Sequence, residues 1–236
     1  MTAVTRLRSI NLALCRRIHW RLPAAFREHL APVYQQMVLY LAQRLESGTI
    51  MDIGAGFIAP VSGATGLPSG IDVIGLDLSH EALANNLDVD YRLAADACKP
   101  WPVADASIDI VISRSVIEHL QDTETFAREC HRVLKPGGYS VHLLPGRNAP
   151  FSLLNRLLPN SIANRLLLWA FPDKIDELGF PAYYQNCSYP KLVRLFEDNG
   201  LELELSRLRY YQASISTMIP GSTSRTTNLQ SSWMIR

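Results

Sequence analysis

From Ala24 to Gly48, apolar residues Phe26, Leu30, Val33, Tyr34, Met37, Leu41 and Leu45 recur every three or four positions. That spacing gathers them on one face and predicts an amphipathic helix, with Gly48 as its stop. Thr49 to Ile53 reads as a short buried strand that ends at a glycine-containing turn. A second strand, Asp72 to Leu76, ends at Asp77, and Ser79 can cap a helix carrying Ala82 and Leu83. Strands follow at Tyr91 to Ala94 and, beyond a loop holding Pro100 and Pro102, at Ile108 to Ser113. A helix from about Asp122 to Leu134 shows Phe126, Cys130, Val133 and Leu134 on one face. Lys135-Pro136-Gly137-Gly138 ends it before the strand Tyr139 to Leu144. Last come a helix, Ser188 to Asn199, closed by Gly200, and the alternating strand Leu201 to Leu208.

Strands alternating with helices predict an α/β fold, a parallel sheet covered by helices on both faces. The segment Gly146 to Asn186 breaks the rhythm. Pro150, Pro159, Pro172 and Pro181 surround a strongly apolar stretch, Leu153 to Phe171, which predicts a helical insertion or lid after the fifth strand. The expected organisation is a basic arm and amphipathic helix over 1–48, a core over 49–210 with the insertion at 146–187, and a weakly structured end over 211–236. Ser214 to Ser232 has little periodicity, and only a weak candidate for a further strand follows Leu208.

The chain has 236 residues, which suits one α/β domain with additions. Its hydrophobic share of 47% against 19% charged residues is that of a globular protein, and a formal net charge of +1 gives no pull towards nucleic acid. Cys15, Cys98, Cys130 and Cys187 are scattered without a CxxC pair. Reduced thiols are expected, with no disulfide framework and no metal site. No apolar run is long enough to cross a bilayer, so the expected location is cytoplasmic. The first segment is lopsided, with Arg6, Arg8, Arg16, Arg17, Arg21 and Arg27 all preceding the first acid, Glu28. It reads as a solvated or core-packed arm, or alternatively as a membrane-surface helix or a transit peptide, which leaves peripheral membrane association open.

The chemistry starts at Asp52-Ile53-Gly54-Ala55-Gly56, where glycines permit a tight turn and a close ligand approach at the carboxyl end of the first strand. Gly54-Ala55-Gly56-Phe57-Ile58-Ala59 satisfies the G-x-G-x-x-G/A spacing, and Asp77 lies roughly 20 residues on, so an NAD(P)-dependent oxidoreductase has to be weighed. Asp52 argues against it. A carboxylate beside the turn opposes an anionic pyrophosphate, whereas it suits a ligand carrying an ammonium and a sulfonium.

Thr49 to Gly56 resembles motif I of class I S-adenosylmethionine (SAM)-dependent methyltransferases, and Val73-Ile74-Gly75-Leu76-Asp77-Leu78-Ser79 resembles motif II. Ala95-Asp96-Ala97, then Ile108 to Leu120, then Arg132-Val133-Leu134-Lys135-Pro136-Gly137-Gly138 continue the family order. The resemblance implies a Rossmann-like sheet, SAM as the methyl donor and a small-molecule or lipid-like acceptor. It also implies that Asp52, Gly54, Ala55 and Gly56 shape the methionine side of the pocket and that Asp77, with Leu78 beside it, takes the ribose. Asp96 and the Ala97 amide would meet the adenine, and the Ser113 backbone would lie near the sulfonium. The family's usual third glycine is replaced by Ile58, and Pro60, Gly63, Gly66, Pro68 and Gly70 make a poor first crossover helix.

Methyl transfer from a sulfonium needs alignment of donor and acceptor more than a catalytic triad. A hydroxyl acceptor would benefit from a base, for which His119 and His142 are the candidates because each lies near the carboxyl end of a core strand. Tyr183 and Tyr184 are candidates to line the acceptor site. The insertion, rich in leucine with Trp169 and Phe171, suits a lid over an apolar acceptor or helices packed on the core. A third reading is a non-catalytic binding module of the same fold.

Overall fold

The computed structural model describes residues 21, 30–57, 66–145, 181–209 and 230–235. Helix α1 (Leu30–Ala42) leads into β1 (Gly48–Ile53), followed by β2 (Ile71–Asp77), α2 (His80–Asn85), β3 (Tyr91–Ala94) and β4 (Ile108–Arg114). A single 3-10 turn (Ile117–His119) precedes α3 (Thr123–Val133) and β5 (Leu134–Pro145), and α4 (Tyr189–Asp198), β6 (Leu203–Arg209) and β7 (Gln230–Ile235) complete the order. The strands form one sheet in the order β3-β2-β1-β4-β5-β7-β6. Neighbours from β3 to β5 are parallel, while β7 runs antiparallel to both β5 and β6. The α/β fold read from the sequence is this Rossmann-like sheet.

Successive strand residues point to opposite faces, and the two cores follow that period. On one face Ile50, Ile110, Ile112, Val141 and Leu143 meet Leu30, Tyr34, Val38 and Leu41 of α1. On the other Met51, Ile53, Val111 and Leu144 meet Phe126 and Cys130 of α3 and Leu192 and Phe196 of α4. Phe126 is fully buried, at the crossing of Trp101 and Phe196.

Several boundaries differ from the sequence reading. Helix α1 stops at Ala42, and Gly48 is the first residue of β1, its N–H donating to the Gly70 carbonyl at 3.1 Å. Lys135 to Gly138 lie inside β5, which begins directly at Leu134; a register shift against Ile108–Ile110 and a left-handed Gly137 absorb the irregular residues. The weakly structured end expected over 211–236 contains β7, an inner strand whose backbone is paired along both edges. Its sequence, QSSWMI, lacks the alternation that would announce a strand, so its place comes from edge pairing. The basic arm before residue 30 (Arg21 apart), the first crossover at 58–65, the insertion core at 146–180 and residues 210–229 lie outside the described residues. Among the described residues, no helix is long and apolar enough to cross a membrane.

Three contacts from α3 fix the loop between β3 and β4. Arg132 of α3 donates to the Val103 carbonyl at 2.7 Å and to the Trp101 carbonyl at 3.0 Å. Glu129, one turn earlier, accepts the Trp101 N–H at 2.7 Å, so α3 pins the β3–β4 loop.

Candidate functional site

The sheet order reverses between β1 and β4, since the chain moves outward from β1 through β2 to β3 and then crosses back to β4. Such a reversal leaves a crevice beyond the strand ends. Into it run the loop after β1, the end of β2 and the turn after β4.

The β1 loop is built by glycine geometry. Gly54 and Gly56 have φ of 71° and 53°, the left-handed region that glycine enters without penalty. Val116 Cγ2 fills the space a side chain at Gly54 would need, so the loop and the turn after β4 are packed together. The Gly54 and Ala55 N–H groups both donate to the Leu76 carbonyl, and Ala55 is buried against Gly75 of β2.

Asp77 closes the loop. Its Oδ2 accepts the Gly56 N–H at 2.9 Å and its Oδ1 accepts the Ser79 N–H at 2.7 Å, while Ser79 itself caps α2 through the Ala82 N–H. The carboxylate therefore orders both edges of the ribose site expected from the sequence. Leu78 beside it is 64% exposed and Phe57 49%, two large apolar side chains left open at the mouth of the loop. Asn86, fully buried, donates to the Ala55 and Gly56 carbonyls and braces the loop from beneath.

The buried polar groups give the electrostatic character of the crevice. Among the described residues, the buried side-chain atoms without a hydrogen-bond partner are Tyr34 Oη, both Asp52 carboxylate oxygens and Glu118 Oε2. Asp52 is on β1, fully buried on the α1 face; burial pushes its carboxyl well above the usual range, the Arg114 charge opposes this and Asp77 adds to it. Tyr34 of α1 is raised first by burial and then by Asp52. Glu118 stands in the 3-10 turn, where burial raises its carboxyl to about 8 against a hydrogen bond from its own backbone N–H. An unpaired buried polar group costs about 1–3 kcal/mol, more for a charge, so each of these atoms calls for a partner such as water or a ligand.

The remaining sequence candidates fall on either side of the crevice. Asp96, after β3, is partly exposed and caps its own turn, accepting the Cys98 N–H at 2.9 Å and pairing with Lys99 at 3.7 Å; the Ala97 carbonyl takes the Trp101 indole N–H. Ser113 is buried at the end of β4, with its Oγ bonded to His142 Nδ1 at 2.8 Å. His142 corrects the sequence reading. It is fully buried in the α3–α4 face, its Nε2 bonded to Ser140 Oγ at 2.7 Å, its ring stacked on Phe196 and tilted against Phe126. Burial lowers its pKa to about 3, so it is a neutral core residue with both nitrogens engaged and not a base facing a substrate.

His119 lies at the open side of the turn, with its Nδ1–H donating to the Pro181 carbonyl at 3.1 Å. The segment after the insertion is tied to the same turn, because the Glu118 carbonyl accepts the N–H groups of Tyr183 and Tyr184. Tyr184 is only 1% exposed and belongs to the core, which removes it as an acceptor-site residue; Tyr183 stays at the surface with its hydroxyl accepting from Gln121. Ser115, Tyr184 and Asn186, none of them glycine, sit at positive φ around this junction. Such strain concentrates where a fold is shaped for a ligand. The sequence reading gave no role to Tyr34, Asn86, Ser115 or Glu118; Tyr34 was hidden in an apolar helix pattern and Glu118 in a motif block. Cys98, Cys130 and Cys187 form no disulfide among the described residues, and burial pushes the Cys130 thiol far up. No cluster of metal-ligating side chains occurs among the described residues.

Residues 51–142 match the family model described as a methyltransferase domain. The chain is 34% identical over 142 residues to a probable S-adenosylmethionine-dependent methyltransferase of Mycolicibacterium smegmatis, covering 54% of this chain and 50% of that protein. It is 35% identical over 106 residues to a ubiquinone biosynthesis O-methyltransferase of Rhizobium leguminosarum, covering 41% of this chain and 40% of the relative. The chain thus spans about half the length, or less, of these curated relatives. Among solved structures, a geranyl diphosphate methyltransferase in complex with SAM superposes with a TM-score of 0.59 at 14% identity, covering 86% of this chain and 84% of that one. A SAM-dependent methyltransferase of Mesorhizobium loti gives 0.54 at 18% identity, covering 88% and 100%. The sheet is that of the class I methyltransferases, and the resemblance read from the sequence motifs holds over this domain.

Proposed function

We propose that this chain, bearing a class I methyltransferase domain over residues 51–142, moves a methyl group from SAM to a small-molecule acceptor. The observation that carries the reading is the pair of unpartnered, fully buried Asp52 oxygens beneath the glycine loop, a site that suits an ammonium and opposes a pyrophosphate. Asp77, held by two backbone N–H groups, presents its remaining lone pairs to ribose hydroxyls, and Leu78 and Phe57 offer apolar surface for a purine. Gly54 and Gly56 admit the methionine portion, Asp96 and the Ala97 amide stand on the adenine side, and the end of β4 at Ser113 borders the sulfonium.

The donor supplies an activated methyl and a neutral leaving group. The protein's part is to align the acceptor behind the methyl and to exclude water. For a hydroxyl acceptor, His119, half-buried on the turn after β4, is the candidate base. The O-methyltransferase relatives support a small-molecule acceptor. The apolar composition of Leu153 to Phe171, in the part outside the described residues, favours a lipid-like one.

Isothermal titration with SAM should show saturable binding that Asp77→Ala greatly weakens; no detectable binding to the wild-type chain sinks the proposal. Thermal protection by NAD(P)H and not by SAM would instead establish the oxidoreductase reading. SAM binding without turnover across a broad acceptor panel would favour a binding module.

A further inference from the structure

We propose that Arg114 holds the carboxylate of the donor's amino-acid head, so that Asp52 and Arg114 together recognise a zwitterion. The inference rests on the SAM-binding reading above and deepens it by giving a partner to the negative charge of SAM, which Asp52, Asp77 and the glycine loop leave without one.

Arg114 is the last residue of β4 and is exposed. Strand register fixes its side of the sheet. Asp52 on β1 stands opposite Ile112 on β4, as Ile50 does opposite Ile110, and these isoleucines pack in the core under α1. Alternation puts the Arg114 side chain on that same face, one step beyond Ile112 towards the carboxyl end. Strand rise and strand spacing then set the Asp52 and Arg114 Cα atoms about 8 Å apart. Beyond Arg114 the chain turns towards the glycine loop. Ser115 has a left-handed φ of 58° and donates its N–H to the Leu143 carbonyl at 2.7 Å, and Val116 fills the space beside Gly54. Arg114 thus stands next to the loop that admits the methionine portion.

The guanidinium is uncommitted: it forms no ion pair or side-chain hydrogen bond among the described residues. Other cations are engaged, Arg92 with the Leu83 and Asn86 carbonyls and Lys99 with Asp96. Its charge nevertheless reaches the buried groups beneath it, since burial raises both the Asp52 carboxyl and the Tyr34 hydroxyl and Arg114 opposes the rise in each. Asp52 and Arg114 are not hydrogen-bonded to each other, for both Asp52 oxygens lack a partner. An acid and a base so placed match the two ends of an α-amino acid, whose ammonium and carboxylate share one carbon. A carboxylate brought near Asp52 alone would be repelled. A guanidinium offsets that repulsion and can donate two parallel hydrogen bonds to it. Asp52 by itself selects an amine, whereas the pair selects an amino acid.

The test compares SAM with decarboxylated SAM, which keeps the adenosine, the sulfonium and an ammonium and lacks the carboxylate. Titration calorimetry reads both ligands on wild type, Arg114→Gln and Arg114→Lys. Arg114→Gln should weaken SAM and S-adenosylhomocysteine about 10- to 100-fold, the loss expected for charge-assisted hydrogen bonds, and leave decarboxylated SAM within about twofold of wild type. Arg114→Lys should keep part of the preference for SAM over decarboxylated SAM, because a point charge remains without the planar fork. An equal loss for the two ligands in Arg114→Gln marks a structural role and overturns the inference. So does an unchanged SAM affinity, the result expected if Arg114 faces an anionic acceptor. Either result leaves SAM binding by the wild type intact. Should Arg114→Gln fail to fold, Arg114→Lys decides by the same ratio, and an undiminished preference for SAM overturns the inference. Absence of SAM binding to the wild type overturns both proposals.

Discussion

Replacing Gly54 by alanine separates two costs that the structure places at one residue. The first is conformational: φ at Gly54 is 71°, where an L-residue pays about 1–2 kcal/mol. The second is steric, because the new methyl meets Val116 Cγ2, and overfilling a packed contact costs about 1–3 kcal/mol. Together Gly54→Ala should lose about 2–5 kcal/mol, or roughly 4–20 °C in Tm for a domain of this size. Only the steric part can be relieved elsewhere. In a double-mutant cycle with Val116→Ala, the combined variant should be less destabilised than the sum of the singles by about 1–3 kcal/mol, while the conformational part persists. Because the same loop forms the proposed methionine side, Gly54→Ala should also weaken SAM about tenfold or more, a loss of about 1.4 kcal/mol. Urea unfolding of the four proteins and SAM titration of the folded ones give both readings. A wild-type unfolding midpoint for Gly54→Ala, or strict additivity of the cycle, would refute the close packing of the glycine loop on the turn after β4.

His142 sets an acid limit. Its folded pKa, about 3, lies below the ordinary value of 6.5, so its neutral form is favoured on folding. The stability it contributes is present above pH 6.5 and is lost as the pH falls towards 3, amounting to about 2 kcal/mol between pH 7.5 and 5. His142→Phe should remove that slope from denaturation curves, and a slope unchanged in the variant refutes the assignment. Asp77→Asn should loosen the loop, since it weakens two charge-assisted bonds from backbone N–H groups; faster hydrogen exchange at Gly56 and Ser79 with little change in the sheet is the expected pattern. Asn86→Ala should destabilise by about 1–3 kcal/mol, since it leaves the Ala55 and Gly56 carbonyls without their donor, and a loss below about 0.5 kcal/mol would mean the brace is dispensable.

The parallel half of the sheet was legible because its signals are local. Tyr91 to Ala94 matches β3 end to end, and Ser79 caps α2 as its position before Ala82 and Leu83 implied. Strand β7 was not legible, since its hydrogen bonds come from β5 and β6, elements remote from it in sequence. The same limit applies within the site. Gly54, Gly56 and Asp77 announce themselves through turn chemistry and spacing. His142 looked like a base because a strand end is the right place for one, and only the packing of α3 and α4 shows that its ring lies between Phe126 and Phe196.

Burial also changes what the acids can do. Asp52, Asp77 and Glu118 look alike in the sequence, but the fold gives each a different state. Asp77 has both oxygens bound by backbone N–H groups and works as a brace, whereas Asp52 and Glu118 are buried on either side of the sheet reversal with oxygens left open. Burial disfavours the ionised form of both, and at Asp52 the Arg114 charge opposes this while Asp77 adds to it. SAM carries an ammonium, a sulfonium and a carboxylate, and in the proposed reading the ammonium is the charge that Asp52 suits. A dinucleotide's pyrophosphate offers only negative charge there, so Asp52, more than the glycine spacing, separates the two kinds of ligand.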